Sequence, residues 1–483
     1  MTPVERLGGL DAAFLSMETA TMHMHVAAVL VLEPPAHRQH EPVASHVERM
    51  RTIVDERLHL VPLLRRRALR VPFGLHHPVW VDDPAFDLDF HFQRGSLPAP
   101  GGPAELATYV AGILGRPLDK DRPLWEMHVV EGLDSGHLAV VPKIHHAAID
   151  GVSGAETLAA FLDLGPEPRA VDPPSRPWRP DPLPSDAELL AYSVSSLSRQ
   201  PEHAVYAVRR TFGALVGLSQ RNRRLREEDE LQPPPAPFRA PRTSLNGAVS
   251  AHRRVAFAEI PLEDIRQVRH AFGGTVNDVV LTAVSGGLRR LLAERGEQPD
   301  EPLVAMVPMS VRTEEDRGSQ GNRLSAMLVS LASTVADPVA RLRVVAEGTR
   351  LAKEQAGVLS EELIRGWAQL AFPALSARLA RLSANLRLFD HVRPLFNVVV
   401  SNVTGPVLPL WWAGSKVVAV YPLGPIAEGV GLNVTVLSYL DTLHVGLTGC
   451  RELVPEVGHL GHLVTEAMAE LVKAAVRQGG QWG

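Results

Sequence analysis

Two adjacent histidines, His145 and His146, stand in the segment Lys143-Ile144-His145-His146-Ala147-Ala148-Ile149-Asp150-Gly151. Asp150 follows the second histidine at +4, and Gly151 lets the chain turn. The preceding residues, His137–Ile144, form an apolar β-type run. The pair is therefore delivered at the end of a buried strand. An imidazole there has an ordinary pKa of about 6.5 and is suited to general-base work. Chance supplies a bare pair easily: 20 histidines in 483 residues give about 0.8 adjacent pairs. A second pair, His76–His77, does occur, with Val81 at its +4 position, and reads as structural. Fixing Asp and Gly at their positions as well lowers the chance expectation to about 0.003 per chain.

Other catalytic patterns are missing from the sequence. Gly151-Val152-Ser153-Gly154-Ala155 fails the G-x-S-x-G nucleophile elbow at its last position. There is no Walker loop, no G-x-G-x-x-G and no H-E-x-x-H. His459 and His462 share one face of an expected helix without a third nearby ligand, so no metal site is expected. Cys450, the single cysteine, reads as a small buried hydrophobe. A base without nucleophile or metal suits direct transfer between two bound substrates. The acyl donor must then arrive activated, and a thioester qualifies because its thiolate leaves easily. The base takes a proton from an acceptor hydroxyl and returns it to the thiolate. No permanently bound cofactor is needed.

The elements that must position this pair alternate between strand and helix. In the first part, Val26–Glu33, Trp125–Val130 and His137–Ile144 read as strands, and Ala44–Arg67, Ala104–Leu114 and Ala155–Leu164 as helices. In the second, strands are expected at Val255–Ile260, Leu303–Val307, Ala326–Leu331, Phe396–Asn402, Val417–Tyr421, Asn433–Ser438 and Leu443–Leu447. Helical spacing appears over Val276–Glu294, Ala336–Gln355 and Val457–Val476. Between the two parts, eight prolines fall from Pro166 to Pro184, and a second cluster runs from Pro233 to Pro241. Such segments exclude helix interior and central strand. Between the clusters, about 186–230, lies a helix-compatible, arginine-rich stretch. The division is thus 1–165 as the first domain, 166–245 as a proline-rich linker with a helical segment, and 246–483 as the second domain, both domains α/β.

Composition bounds the rest. Hydrophobic residues are 45% and charged residues 21%, an ordinary globular mix. The 49 basic and 54 acidic residues leave a net charge of −5, so no nucleic-acid groove is expected. One cysteine cannot make an internal disulfide. The N-terminus lacks a basic run followed by an apolar core, so no secretory leader is expected. The charge-free stretch from Pro394 to Ser415 carries Pro394, Pro406 and Pro409 and makes a poor spanning helix. A cytoplasmic protein, soluble or peripherally bound, is expected. The mean hydropathy of 0.00 fits a lipid-handling surface and a large core equally.

HHAAIDG matches the HHxxxDG motif of the CoA-dependent acyltransferase superfamily, which includes peptide-synthetase condensation domains. The chain resembles, more narrowly, the bacterial wax ester synthase/diacylglycerol acyltransferase family. The resemblance is carried by Leu10-Asp11-Ala12-Ala13-Phe14-Leu15, Pro123-Leu124-Trp125-Glu126, Val129-Val130-Glu131-Gly132-Leu133 and Asn277-Asp278-Val279-Val280-Leu281. It continues in Val307-Pro308-Met309-Ser310-Val311-Arg312, Gly321-Asn322 and Ser401-Asn402-Val403-Thr404-Gly405-Pro406, and so spans nearly the whole chain. It implies two chloramphenicol-acetyltransferase-like domains, mixed sheets flanked by helices, with an active-site tunnel between them. It also implies fatty acyl transfer from acyl-CoA, as co-substrate, to diacylglycerol or a long-chain alcohol at a membrane or lipid-droplet surface.

By the same resemblance His146 would be the base, and His145 would shape the tunnel or hydrogen-bond beside it. Asp150 would hold the loop through an ion pair whose partner the sequence does not name, Arg312 being a weak candidate. Gly151 would lie beside the substrate. Asn277 would steady the oxyanion, or else merely begin a helix, since Thr275 and Asn277 both favour caps. Leu124 and Trp125 are expected to pack under the active strand. Glu361–Leu386, with Arg365, Arg378 and Arg381 among apolar residues, reads either as a surface-binding amphipathic helix or as one packed on its own domain. The alternative activity is a condensation-type transferase using a carrier-protein-bound acyl donor.

Overall fold

In the computed structural model, which describes residues 5–35, 41–149, 157–197, 239–310, 324–356, 382 and 392–479, the chain builds two six-stranded sheets and a small third one. The first part runs β1 (Glu5–Arg6), α1 (Gly9–Met17), β2 (His25–Glu33), α2 (Val43–Arg57), β3 (Arg66–Leu69), β4 (Val79–Asp82) and α3 (Leu88–His91). It continues with β5 (Phe92–Ser96), α4 (Pro103–Leu114), β6 (Trp125–Glu131), β7 (Leu138–His145) and α5 (Asp186–Leu197). The second part runs β8 (Arg253–Pro261), α6 (Leu262–Phe272), α7 (Val276–Glu294), β9 (Val304–Ser310), β10 (Leu324–Ser330), α8 (Pro338–Ala356) and β11 (Val398–Thr404). It ends with β12 (Trp411–Trp412), β13 (Ser415–Leu423), β14 (Leu432–Tyr439), β15 (Thr442–Cys450) and α9 (Val457–Gly479).

The first sheet has the order β12-β13-β2-β7-β6-β5. β7 lies inside it between β2 and β6, and every one of its residues is buried. The apolar run Leu138–Pro142 is what a strand covered on both faces requires. One face packs through Leu30, Leu32, Val129 and Val140 against Met50 and Val54 of α2. The other packs through Val29, Val130, Ala139 and Val141 against Leu106, Val110 and Ile113 of α4. Lys143, fully buried in the strand, donates to Ile113 O at 3.2 Å and Arg116 O at 2.8 Å, at the carbonyl end of α4 where a positive charge is favoured. Glu126 beside it, 3.5 Å away, balances the charge. α2 ends at Arg57, short of the expected Arg67. The chain goes on as short 3₁₀ turns over Leu58–Leu60 and Pro62–Arg65, because Pro62 has no N–H to continue an α-helix.

The second sheet has the order β10-β9-β11-β14-β15-β8, with α7 and α9 packed on it. Gly286 and Gly287 set how closely those helices approach. A Cβ at Gly286 would lie 2.6 Å from the Ala467 Cβ, and one at Gly287 would lie 2.8 Å from a Val464 methyl. The two halves are then tied by a crossover that the division at residue 245 does not contain. β13 pairs antiparallel with β2, from Lys416↔Glu33 to Leu423↔Ala27, so residues 411–423 complete the first sheet although they follow the start of the second domain. Tyr421 of this strand donates to Glu259 of β8 at 2.6 Å.

Where β13 meets β15 of the second sheet, Gly446 has no room for a side chain: a Cβ there would lie 1.8 Å from the Pro422 carbonyl oxygen. The opposing oxygen belongs to backbone, so it cannot swing aside as a flexible side chain would. Gly446→Ala should destabilise the fold by about 1–3 kcal/mol, read as a lower urea midpoint at unchanged m-value. An unchanged midpoint would mean the two sheets can part here without cost.

Candidate active site

The active-strand end is a tight turn organised by His145. Its backbone amide donates to Leu124 O at 2.9 Å, and its carbonyl accepts from the Ala148 amide at 2.8 Å. Its Nδ1 accepts from the Ala147 amide at 3.0 Å. The ring proton must then sit on Nε2, which points 3.6 Å from Glu18 Oε2. His145 is completely buried. His146, half-buried, is held by its amide to Met24 O at 2.7 Å. Its ring stacks on Phe14 of α1, with centroids 4.3 Å apart and planes at 29°. The motif Leu10–Leu15 thus supplies the wall against which His146 rests.

Glu18 caps the end of α1 and is the residue that the sequence reading missed. Its carboxylate, 2% exposed, is met by His25 Nε2 at 3.1 Å, Lys120 Nζ at 2.5 Å, His145 Nε2 at 3.6 Å and His23 Nδ1 at 4.0 Å. One carboxylate therefore joins α1, the start of β2, the loop before β6 and the end of β7. Register explains part of this: His25 is the β2 partner of His145. Spacing explains another part, since His23 and His25 lie two residues apart and their rings stack at 5.4 Å. That alternation was the available signal. From the second half, Arg253 donates to Thr21 O at 2.7 Å and fixes the turn between α1 and β2.

Burial alone would raise the Glu18 pKa. Contacts with His145 and His25, and the Lys120 charge, outweigh burial and hold the carboxyl well below its usual range. Burial, helped by the Arg253 charge, pushes the His23 imidazole down to about 4. Burial pushes His25 down to about 3 despite its contact with Glu18. At neutral pH the cluster is an anion with one lysine counter-charge and two neutral imidazoles.

Asn277 is not the helix cap. That role belongs to Thr275, whose hydroxyl accepts from the Asp278 amide while Asp278 Oδ2 accepts from the Thr275 amide at 2.8 Å. Asn277 is left half-buried, and its Nδ2 is buried with no hydrogen-bond partner among the described residues. Leu124 and Trp125 pack in the core as expected, with Trp125 Nε1 donating to Leu64 O at 2.8 Å and its ring stacked on His91. His459 pairs with Glu294 at 2.8 Å, and Cys450 is fully buried. His76 and His77 are buried too, the His77 amide donating to His76 Nδ1 at 2.7 Å. Asp150, Gly151, Arg312, Gly321, Asn322 and the segment 361–386, apart from Leu382, lie outside the described residues.

The depressed imidazoles make stability depend on pH. In the unfolded chain each histidine takes up a proton near pH 6.5, whereas the folded protein resists until about 4 for His23 and 3 for His25. The stabilisation is therefore complete above pH 6.5 and is lost as pH falls toward those values. At pH 5 the loss should be about 2 kcal/mol for each histidine. Urea unfolding of the parent and of His25→Asn at pH 7.5 and 5.0 checks this: the variant's drop should be smaller by about 2 kcal/mol. Equal drops would mean His25 titrates as an exposed imidazole does.

Comparison with known proteins identifies the family and the fold. The family model "Wax ester synthase/diacylglycerol acyltransferase catalytic domain" matches residues 7–280, and "WS/DGAT C-terminal domain" matches residues 320–472. A Mycobacterium tuberculosis H37Rv protein that carries the provisional name diacylglycerol O-acyltransferase is 35% identical over 477 residues, covering 98% of this chain and 91% of that one. The wax ester synthase/diacylglycerol acyltransferase from Marinobacter aquaeolei VT8 superposes with a TM-score of 0.68 at 27% identity, over 97% of this chain and 99% of that one. The starter condensation domain of rhizomide synthetase, at 14% identity and a TM-score of 0.50 over 98% and 95% of the two chains, shares the fold alone. The expected two-domain, chloramphenicol-acetyltransferase-like architecture is the one present. The chain belongs to the wax ester synthase/diacylglycerol acyltransferase family and is an acyltransferase.

Proposed function

We propose that this acyltransferase moves a fatty acyl group from acyl-CoA to the hydroxyl of diacylglycerol or of a long-chain alcohol, with His146 as general base. The observation that carries the reading is the presentation of His146: half-buried at the end of a fully buried strand, its backbone held to Met24 and its ring against Phe14. The imidazole takes the proton of the acceptor hydroxyl as the oxygen attacks the thioester carbonyl. A tetrahedral oxyanion forms and then collapses, breaking the C–S bond. The imidazolium returns its proton to the departing thiolate, so the base is regenerated. The unpartnered Nδ2 of Asn277 is the donor assigned to the oxyanion. Asp150 and Gly151 would shape the turn that follows His146.

The acceptor and the product are insoluble in water, so the reaction belongs at a membrane or lipid-droplet surface. No helix among the described residues is long and apolar enough to cross a membrane. Attachment is therefore proposed to be peripheral.

The test is purified protein with palmitoyl-CoA and either dipalmitoylglycerol or hexadecanol, products being resolved by class. His146→Ala should lose about 10² to 10⁴ in kcat while staying folded. A folded variant with more than about a tenth of parental activity would remove His146 from the base role. Asn277→Ala should lower kcat by about 10² at little-changed KM, as expected for a donor used mainly in the transition state. An unchanged kcat would return Asn277 to the helix alone.

A further inference from the structure

The proposed reaction uses one histidine of the pair, yet the best-connected polar group in this region is Glu18, which the chemistry does not touch. A carboxylate with 2% exposure would be expelled from the interior unless something needed it there. Its four neighbours differ in what they could do. His23 and His25 are neutral; His25 pairs with His145 in the sheet and sets its ring edge-on to the His145 ring at 5.8 Å, but among the described residues neither imidazole hydrogen-bonds to the turn after β7. Lys120 is a third exposed and supplies the counter-charge. His145 alone reaches both Glu18 and the turn: Nε2 faces the carboxylate, and Nδ1 accepts the Ala147 amide.

We propose that Glu18 is a positioning residue that acts through His145, locking it in the Nε2–H tautomer so that Nδ1 clamps the Ala147 amide and aims His146 at the acceptor hydroxyl. The inference rests on His146 being the base. The carboxylate accepts only, so it demands a proton on Nε2. With that proton fixed, Nδ1 is bound to be an acceptor, and the amide of Ala147 is the donor it meets. His146 is the residue between the two ends of this clamp, since its neighbours contribute the His145 ring and the Ala147 amide. Turning His145 to the other tautomer would set two N–H groups against each other and would open the turn. The contacts with His145 and His25, together with the Lys120 charge, keep Glu18 ionised, and an ionised carboxylate is what makes the tautomer unambiguous. The first histidine of the pair is then a clamp rather than a second base.

The test uses the full chain as Glu18→Gln, His145→Asn, the double variant, His145→Leu and His146→Ala. Kinetics employ palmitoyl-CoA and dipalmitoylglycerol, and histidine ring ¹H–¹⁵N spectra report tautomers, His145 being identified by its absence from His145→Asn. Glu18→Gln should fold, lose about 10- to 100-fold in kcat with both KM values within about twofold, and lose the single Nε2–H signal of His145. His145→Asn keeps an acceptor for Ala147 and should lose less than His145→Leu. Adding Glu18→Gln to His145→Asn should cost no further rate, because the two residues act as one unit. Full additivity in that cycle, or a folded Glu18→Gln with at least half the parental kcat, would overturn the proposal. So would lost rate with the His145 signal unchanged. Should Glu18→Gln fail to fold, His145→Leu decides: a kcat within twofold of the parent's rules out the clamp. If His146→Ala keeps parental activity, the base assignment fails; if it is dead while Glu18→Gln is fully active, only the clamp fails.

Discussion

A carboxylate buried between three histidines and a lysine holds the first half of this molecule in its working arrangement. Glu18 joins four separate segments, its own α1 included, and each of them contributes to the arrangement around His146. α1 brings Phe14 to the face of His146. The start of β2 offers the Met24 carbonyl to the His146 amide, and the loop before β6 ends in Leu124, whose carbonyl takes the His145 amide. Isolated, a charge at this depth would cost several kcal/mol. Paired with Lys120 and ringed by three imidazoles, it is a common anchor for these segments.

A second buried charge supports the same strand from the other side. Lys143 precedes the histidine pair by two residues and is fully buried. It reaches the carbonyl end of α4, and Glu126 of the Pro123–Glu126 motif balances it while also meeting His128 at 3.2 Å. Glu126 is drawn down to about 2, since His128 and Lys143 outweigh burial. Two of the family-typical segments of the first half thus have a physical reason. Leu10–Leu15 walls His146, and Pro123–Glu126 neutralises and packs the strand that leads to it. The Arg253 contact to Thr21 and the β13 pairing with β2 bring the second half to bear on the same region.

The strands were legible because burial writes itself into sequence. Every expected strand in both halves is present, shifted at its ends by one to three residues, as apolar runs without caps allow. Other features were hidden for identifiable reasons. The Glu18 cluster joins residues far apart in sequence, and no local period marks such a contact. α1 is nine residues long and apolar on most sides, so it lacks a clear helical stripe. α6 has a polar face and apolar positions at Leu262, Ile265 and Val268, a pattern that was present but was not read. The placement of β13 in the first sheet depends on pairing across most of the chain, which strand propensity cannot report. Asn277 was ambiguous from sequence because Thr275 and Asn277 compete for one cap; in the fold Thr275 takes it.

The central claim is direct transfer by a lone base, with no acyl group ever bonded to the protein. The most direct measurement is the intact mass of the purified chain after incubation with palmitoyl-CoA alone, followed by addition of dipalmitoylglycerol with free CoA and lipid product quantified together. The account predicts no palmitoyl adduct before the acceptor is added, and CoA release matching product one for one afterwards. A stoichiometric acyl adduct that disappears on adding acceptor would contradict it, because the protein would then supply a nucleophile where only a base is assigned.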